Sequence, residues 1–195
     1  MRLKMSTTIL LAIASCGAEA AARPEELVAA AKSQIGITLR YDPRYEKIAY
    51  PGGDVPIERG VCTDVVIRAY RKLGLDLQQL VHEDMANNWK AYPKLWGLKR
   101  PDRHIDHRRV PNLAVFFGRH GTALPITRDG RQYRAGDIVT WNLPGNLPHI
   151  GIVADEISWT GVPLVIHNIG SGTKIENALF SYPLTGHFRF QRALR

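Results

Sequence analysis

Two β-branched runs, His149-Ile150-Gly151-Ile152-Val153 and Val162-Pro163-Leu164-Val165-Ile166-His167, are separated only by residues 154–161. A parallel pair needs a crossover of about a dozen residues or more, so so short a connection predicts an antiparallel hairpin. With its loop centred near Ser158, Ile150 faces Ile166, Gly151 faces Val165 and His149 faces His167. Opposite residues share a face with Cβ atoms ~5 Å apart. Two histidines therefore stand side by side at the open end of the hairpin, unless a one-residue slip sends one of them to the far face. Gly151, two positions from His149 on the same face, leaves room for a helix to approach.

The periodicity on either side of this hairpin sets the fold class. Residues 137–141 read as a preceding strand, residues 142–148 as a loop with two prolines and a glycine, and residues 188–190 as a last short strand. Upstream the pattern is helical. Pro24 opens a helix with Glu25 and Glu26 in its first turn, Leu27, Ala31 and Ile35 on one face, and Gly36 as its stop. Val65, Val66, Ala69 and Leu73 form the stripe of a second helix that Cys62 extends backwards and Gly74 ends. A third runs through Leu77, Leu80, Val81, Asp84, Met85, Asn88 and Trp89, and a fourth, residues 111–119, packs Leu113, Phe116 and Phe117. Helices first and an antiparallel sheet after them, with 45% hydrophobic residues in a chain of 195, predict one α+β domain over residues 24–195.

The N-terminus has the pattern of an export signal over residues 1–20: Arg2 and Lys4, an apolar stretch over residues 7–14, then small residues. Ala18-Glu19-Ala20 offers a cleavage site for a soluble product, whereas Ile13-Ala14-Ser15-Cys16 offers a lipoprotein site that would leave Cys16 acylated, the membrane then being reached only through that anchor. Either route leaves Cys62 as the one thiol of the folded domain. A lone cysteine in an oxidising compartment is worth flagging as reactive. The formal charge is +8, from 26 basic and 18 acidic residues, and becomes +7 without Arg2, Lys4 and Glu19. A basic exported or periplasmic protein suits peptidoglycan or another anionic envelope polymer as partner. No basic helix interleaved with aromatics argues for nucleic acid.

Cys62 falls in the first turn of its helix, where free backbone N–H groups and the positive end of the helix dipole favour a thiolate. The plain alternative is a small buried residue. A helix whose apolar stripe must cover a sheet brings Cys62 towards His149, one imidazole can take the thiol proton, and a second polar side chain can hold it in the right tautomer. Asp64 reads as a first-turn cap; a zinc site of Cys62, Asp64, His149 and His167 is the rival arrangement. His104, Asp106 and His107 lie in a proline-rich loop, residues 92–111, without a helical ligand spacing, and no cofactor or metal is called for. In that loop Arg108 or Arg109 can grip a carboxylate bidentately. Asp84 intrudes on an inner helix face, either at a frayed edge or lining a cleft. The loop over residues 37–60, with Tyr41, Tyr45 and Tyr50, precedes Cys62 and is expected to be ordered.

A cysteine opening a helix, Gly136-Asp137-Ile138-Val139 before a strand, then His-Ile-Gly-Ile-Val and Val-Ile-His, resembles the NlpC-type papain-like cysteine peptidases. The resemblance implies a papain-like single domain with helices packed on the sheet, Cys62 as nucleophile, His149 as base, and His167 (or less directly Asn168) as the residue that orients it. It also implies an upstream tyrosine near the oxyanion site, for which Tyr50 is a modest favourite over Tyr41 and Tyr45. Thr63-Asp64 replaces the small Ser-Gly pair usual after that cysteine, and residues 75–130 are long for the frame. The phrases Gly-Val-Cys-Thr-Asp, Ile-Asp-His-Arg-Arg-Val-Pro-Asn and His-Asn-Ile-Gly are similar to those of an exported bacterial group known only as a domain of unknown function. The expected activity is hydrolysis of an amide bond in peptidoglycan peptides; a non-catalytic envelope-binding module and an acyltransferase or lipid amidase are the alternatives.

Overall fold

The computed structural model describes residues 23–191, so the expected export signal and Cys16 lie outside the described residues. Four helices and eight strands follow one another as α1 (Pro24–Lys32), β1 (Arg40–Tyr41), β2 (Arg59–Gly60), α2 (Cys62–Lys72), α3 (Leu77–Asn87), α4 (Val110–His120), β3 (Thr122–Ala123), β4 (Ile138–Leu143), β5 (Leu147–Ile157), β6 (Pro163–His167), β7 (Lys174–Glu176) and β8 (Leu184–Arg189). β3 to β8 form one antiparallel sheet of order β3-β8-β4-β5-β6-β7, while β1 and β2 make a separate parallel pair. The α+β class expected from the sequence is the class observed. No helix among the described residues is long and apolar enough to cross a membrane.

Alternation along the strands gives the sheet two buried faces. Ile138, Ile150, Ile152, Ile166 and Phe188 join Val65, Val66, Ala69, Leu113 and Phe117 in the larger core, under α2 and α4. Val139, Trp141, Val153 and Val165 face the other way, beneath Tyr133 and Leu179 from the connecting segments. Helix α2 lies on β5 and is tied down at its far end, where the Tyr70 hydroxyl donates to the Phe190 carbonyl at 3.0 Å. Gly74 ends it with φ +77°, as the sequence predicts for a left-handed C′ position.

Two expectations about the sheet need correction. Residues 142–148 are not a loop: β4 and β5 pair as far as Leu143 with Leu147, and the turn is only Pro144, Gly145 and Asn146. Gly145 at φ +79° and Asn146 at φ +58° supply the positive φ that so tight a hairpin needs. The β5–β6 register is shifted by two residues, with Ile152 opposite Ile166 and Val153 opposite Val165. The turn sits further along than assumed, closed by the Ser158 N–H donating to the Val162 carbonyl at 2.8 Å, and a bulge lies between Val153 and Ile157. An even shift keeps every side chain on its predicted face, so His149 and His167 still meet, diagonally rather than squarely opposed.

Candidate active site

The site begins with the turn into α2. Val61 is extended (φ −113°, ψ −178°), and Asp64 in the third helical position accepts the Val61 N–H at 2.7 Å, so the helix starts at Cys62. Asp64 is the expected cap and more: Arg108 reaches both its oxygens, Nε to Oδ1 and Nη2 to Oδ2, each at 2.9 Å. Both partners are buried. The Thr63 hydroxyl donates to the Arg108 carbonyl at 3.1 Å. Thr63-Asp64 thus anchors the Arg108 segment to the start of α2, which gives the departure from a Ser-Gly pair a structural reason.

The loop over residues 37–60 is ordered by Arg68, buried two turns further along α2. Its guanidinium donates to Asp54 at 2.8 and 3.0 Å, to the Thr38 hydroxyl at 3.0 Å, and to the Val55 and Arg59 carbonyls at 3.1 Å. The loop thereby returns as β1 beside β2, with Tyr41 paired to Gly60, two residues before Cys62. A Cβ on Gly60 would come within 2.8 Å of Asp64 Oδ2, so this approach requires glycine. Tyr41 is consequently the tyrosine that faces the Cys62 sulfur; burial first, then that contact, raise its hydroxyl pKa. Tyr50, the favoured candidate from sequence, is elsewhere, edge-on to His82 at 5.2 Å and beneath Arg103. Tyr45 donates to Asp102.

Cys62 lies on the floor of a cleft of about 150 Å³ whose walls include Tyr41, Val61, Trp96, Arg109 and Pro148. Backbone N–H groups of Ile150, Thr63 and Cys62 itself are directed at the sulfur and favour the thiolate, but burial outweighs them and pushes the thiol up to about 12. The expectation that the helix start would stabilise a resting thiolate is therefore corrected: desolvation wins, and the resting group is a neutral thiol.

The Ile150 N–H belongs to the peptide that follows His149, so the sulfur reaches the β5 backbone one residue from His149, whose own side chain turns to the other face of the sheet. The His149 ring lies on the Trp141 face of the sheet, its centroid 5.6 Å from that indole, and its Nε2 is 2.8 Å from His167 Nδ1. His167 Nε2 is in turn 3.0 Å from Glu176 Oε2 on β7, off the line of a good hydrogen bond. Burial, then the neighbouring His167, holds His149 down at about 3, and burial also lowers His167 against the opposing pull of Glu176. Gly151 does not serve the approach of α2 as expected. A Cβ there would lie 2.7 Å from Val165 Cγ1 and 3.2 Å from His167 Cβ, so its bareness admits β6 and the His167 side chain.

The remaining candidates are engaged away from the sulfur. Asn168 donates to the Gly60 carbonyl at 3.2 Å and accepts the Gly170 N–H, so it braces the strand before Cys62 and His167 is the partner of His149. Asp84 neither frays nor lines the cleft; it is buried against Arg119, His120 and the Tyr92 hydroxyl. Arg108 is committed to Asp64, leaving Arg109 as the arginine that is in the cleft without such a partner. His104 Nδ1 pairs with the Ile48 carbonyl, and no group of three or more His, Cys, Asp or Glu among the described residues is arranged to hold a metal ion. Sequence reasoning missed Glu176 and Trp96. The alternation Lys174-Ile175-Glu176 after Gly172 was the available signal for the first, and nothing local marked the second.

A family model described as a domain of unknown function, DUF1287, matches residues 28–190. The chain is 57% identical over 160 residues to a protein of Escherichia coli (strain K12) described as uncharacterized protein YijF, which covers 82% of this chain and 78% of that one. Among solved structures, NlpC1 from Trichomonas vaginalis aligns with a TM-score of 0.49 at 15% identity, over 87% of this chain and 44% of that one.

Proposed function

The chain belongs to the DUF1287 family, and from the site it builds on that frame we propose a papain-like cysteine hydrolase that cleaves an amide bond. The observation that supports this reading is a nearness along β5: the sulfur of a helix-opening cysteine sits against the Ile150 N–H, and the residue before it, His149, begins a buried pair of imidazoles.

The protons follow from taking His149 as the base. His149 Nε2 is engaged with His167 Nδ1, so His149 Nδ1 is the nitrogen left to act as base. For Nδ1 to be bare, Nε2 carries the hydrogen and donates it to His167 Nδ1, and the His167 hydrogen then lies on Nε2 towards Glu176. Cys62 Sγ bonds to the substrate carbonyl carbon as its proton passes to His149 Nδ1. The oxyanion is held by the Cys62 N–H and the Tyr41 hydroxyl. Collapse breaks the C–N bond, the amine leaves with the proton from His149, and water releases the acyl group by the same route. Because the resting thiol and imidazole are both neutral, proton transfer accompanies attack instead of preceding it.

The export-signal pattern of the sequence and the net basic charge support peptidoglycan peptides as the proposed substrate, with residues 24–195 as the proposed hydrolase domain. Digestion of purified peptidoglycan, with products identified by mass spectrometry, tests this. Wild-type protein is expected to release peptide fragments and Cys62→Ala to release none; equal turnover by the variant would remove Cys62 from the reaction. The reading as an envelope-binding module has one observation on its side, the thiol pushed up to about 12. Retention on peptidoglycan with no new products from wild-type protein would favour it.

A further inference from the structure

Arg108 and Arg109 are consecutive and face different tasks. Arg108 is closed into the ion pair with Asp64 and also donates to the Arg44 and Asp42 carbonyls. Arg109 lines the cleft that holds Cys62, with its guanidinium carbon 4.6 Å from the Trp96 ring centroid. Its Nη1 is buried and has no hydrogen-bond partner among the described residues. A guanidinium is charged at every accessible pH, and that of Arg109 makes no hydrogen bond or ion pair among the described residues, so its charge is set for an acceptor from outside the chain. Asp106, three residues back, feels the charge of Arg109 but forms no ion pair with it: its Oδ2 accepts the Asp102 N–H at 2.5 Å and its Oδ1 is buried without a partner.

Trp96 adds a second observation. It holds a left-handed backbone (φ 57°, ψ 31°) that bulky residues rarely adopt, and it is 60% exposed while covering the Arg109 guanidinium. Its ring divides the Cys62 cleft from a second cavity of about 680 Å³, whose walls carry Lys47, Lys99, Arg100 and Arg103 against a single acidic residue, Asp102. A cation under an aromatic lid at the mouth of the cleft, with a basic basin beyond, is complementary to an acidic peptide.

We propose that Arg109 is the carboxylate receptor of the cleft: it takes, through the cleft-facing edge of its guanidinium, a carboxylate of the peptide substrate adjacent to the scissile amide, with Trp96 covering the pair and further acidic groups lying in the basin. This rests on the reading of Cys62 as the reacting group and names the substrate class, a peptide with a free carboxylate beside the bond that is cut.

The test separates the two claims by using alkylation, which needs no turnover. Iodoacetate and iodoacetamide both place carbon on a thiolate sulfur with loss of iodide, and they differ in carrying a carboxylate or a neutral amide. Rates at Cys62 are read by mass spectrometry of its peptide and divided by the rates at N-acetylcysteine. Wild-type protein should favour iodoacetate by about tenfold. Arg109→Gln should abolish that preference without slowing iodoacetamide, Arg109→Lys should retain part of it, and Arg44→Gln, an exposed charge outside the cleft, should leave it intact. No preference in the wild type, an unchanged preference in Arg109→Gln, or an equal loss in Arg44→Gln would overturn the assignment. The preference can hold even if Cys62→Ala still cleaves peptidoglycan, and it can fail while Cys62 proves essential, so the failures are distinguishable.

Discussion

His149 Nε2 and His167 Nδ1 lie 2.8 Å apart, and both rings are buried against Trp141, so one hydrogen is shared between two nitrogens that have no water to turn to. That arrangement couples the tautomers of the two rings, and a His149 with a bare Nδ1 is the one that donates from Nε2 to His167. Replacing His167 by Ala should lower kcat by about a hundredfold with little change in KM, because the base is present but free to turn or to hold its proton on the wrong nitrogen. His167→Asn keeps an acceptor for Nε2–H and should retain activity within about tenfold of wild type. Steady-state kinetics on the products found by peptidoglycan digestion check both values.

Gly151→Ala should act on the same pair from behind. The added methyl meets Val165 Cγ1 at 2.7 Å and the Ile166 carbonyl at 3.0 Å, contacts that only a shift of β6 relieves. A loss of ~1–3 kcal/mol is expected in urea denaturation. Activity should fall further than that loss explains, because His167 rides on β6.

Arg108→Ala should be among the most destabilising single changes in the chain. It leaves Asp64 buried and charged next to the Val61 N–H, and breaking one side of a buried pair costs ~3–5 kcal/mol. The urea midpoint reads this, and Cys62 should become more readily alkylated as the first turn of α2 loosens.

Stability should fall on mild acidification. Burial holds His149 and His107 at about 3, against an ordinary value of 6.5. Below pH 6.5 the unfolded chain binds protons that the folded chain refuses, so the stability these residues contribute is full above that pH and is lost as pH drops towards 3, by up to ~1.4 kcal/mol per pH unit for each. Asp106 has the opposite sign. Burial raises it from 3.8 to about 6, so its contribution is present below pH 3.8 and is lost as pH rises through 6. Urea midpoints between pH 4 and 8 should rise to about pH 6.5 and then level off. His107→Gln should flatten the rise without touching the site, and an unchanged slope in that variant would contradict the account.

Much of the architecture is legible because it rests on local signals: the helical stripe from Cys62 to Gly74, the short connection between β5 and β6, and the proline opening α4. The juxtaposition of His149 and His167 was readable for a particular reason. A two-residue register error preserves the face, so the prediction survived the bulge after Val153 that sequence could not reveal. What was not legible depends on long-range closure. Tyr41 reaches Cys62 because Arg68 holds the segment that leads into β2, and three tyrosines in one loop look alike until that clasp is seen. Arg108 and Arg109 are likewise indistinguishable as neighbours in sequence; the Asp64 carboxylate on another element separates them. The thiol was misjudged because helix-start donors are visible in sequence, whereas burial of the sulfur is a property of the finished packing.

The central claim, that Cys62 is a nucleophile served by His149, is tested most directly by acylation with p-nitrophenyl acetate, read as a p-nitrophenol burst and as an acetyl adduct on the Cys62 peptide. Wild-type protein should give a burst approaching one equivalent. Cys62→Ala should give none, and His149→Ala should form the same adduct about a hundredfold more slowly. A burst of equal size from Cys62→Ala, or an unchanged rate from His149→Ala, would contradict it.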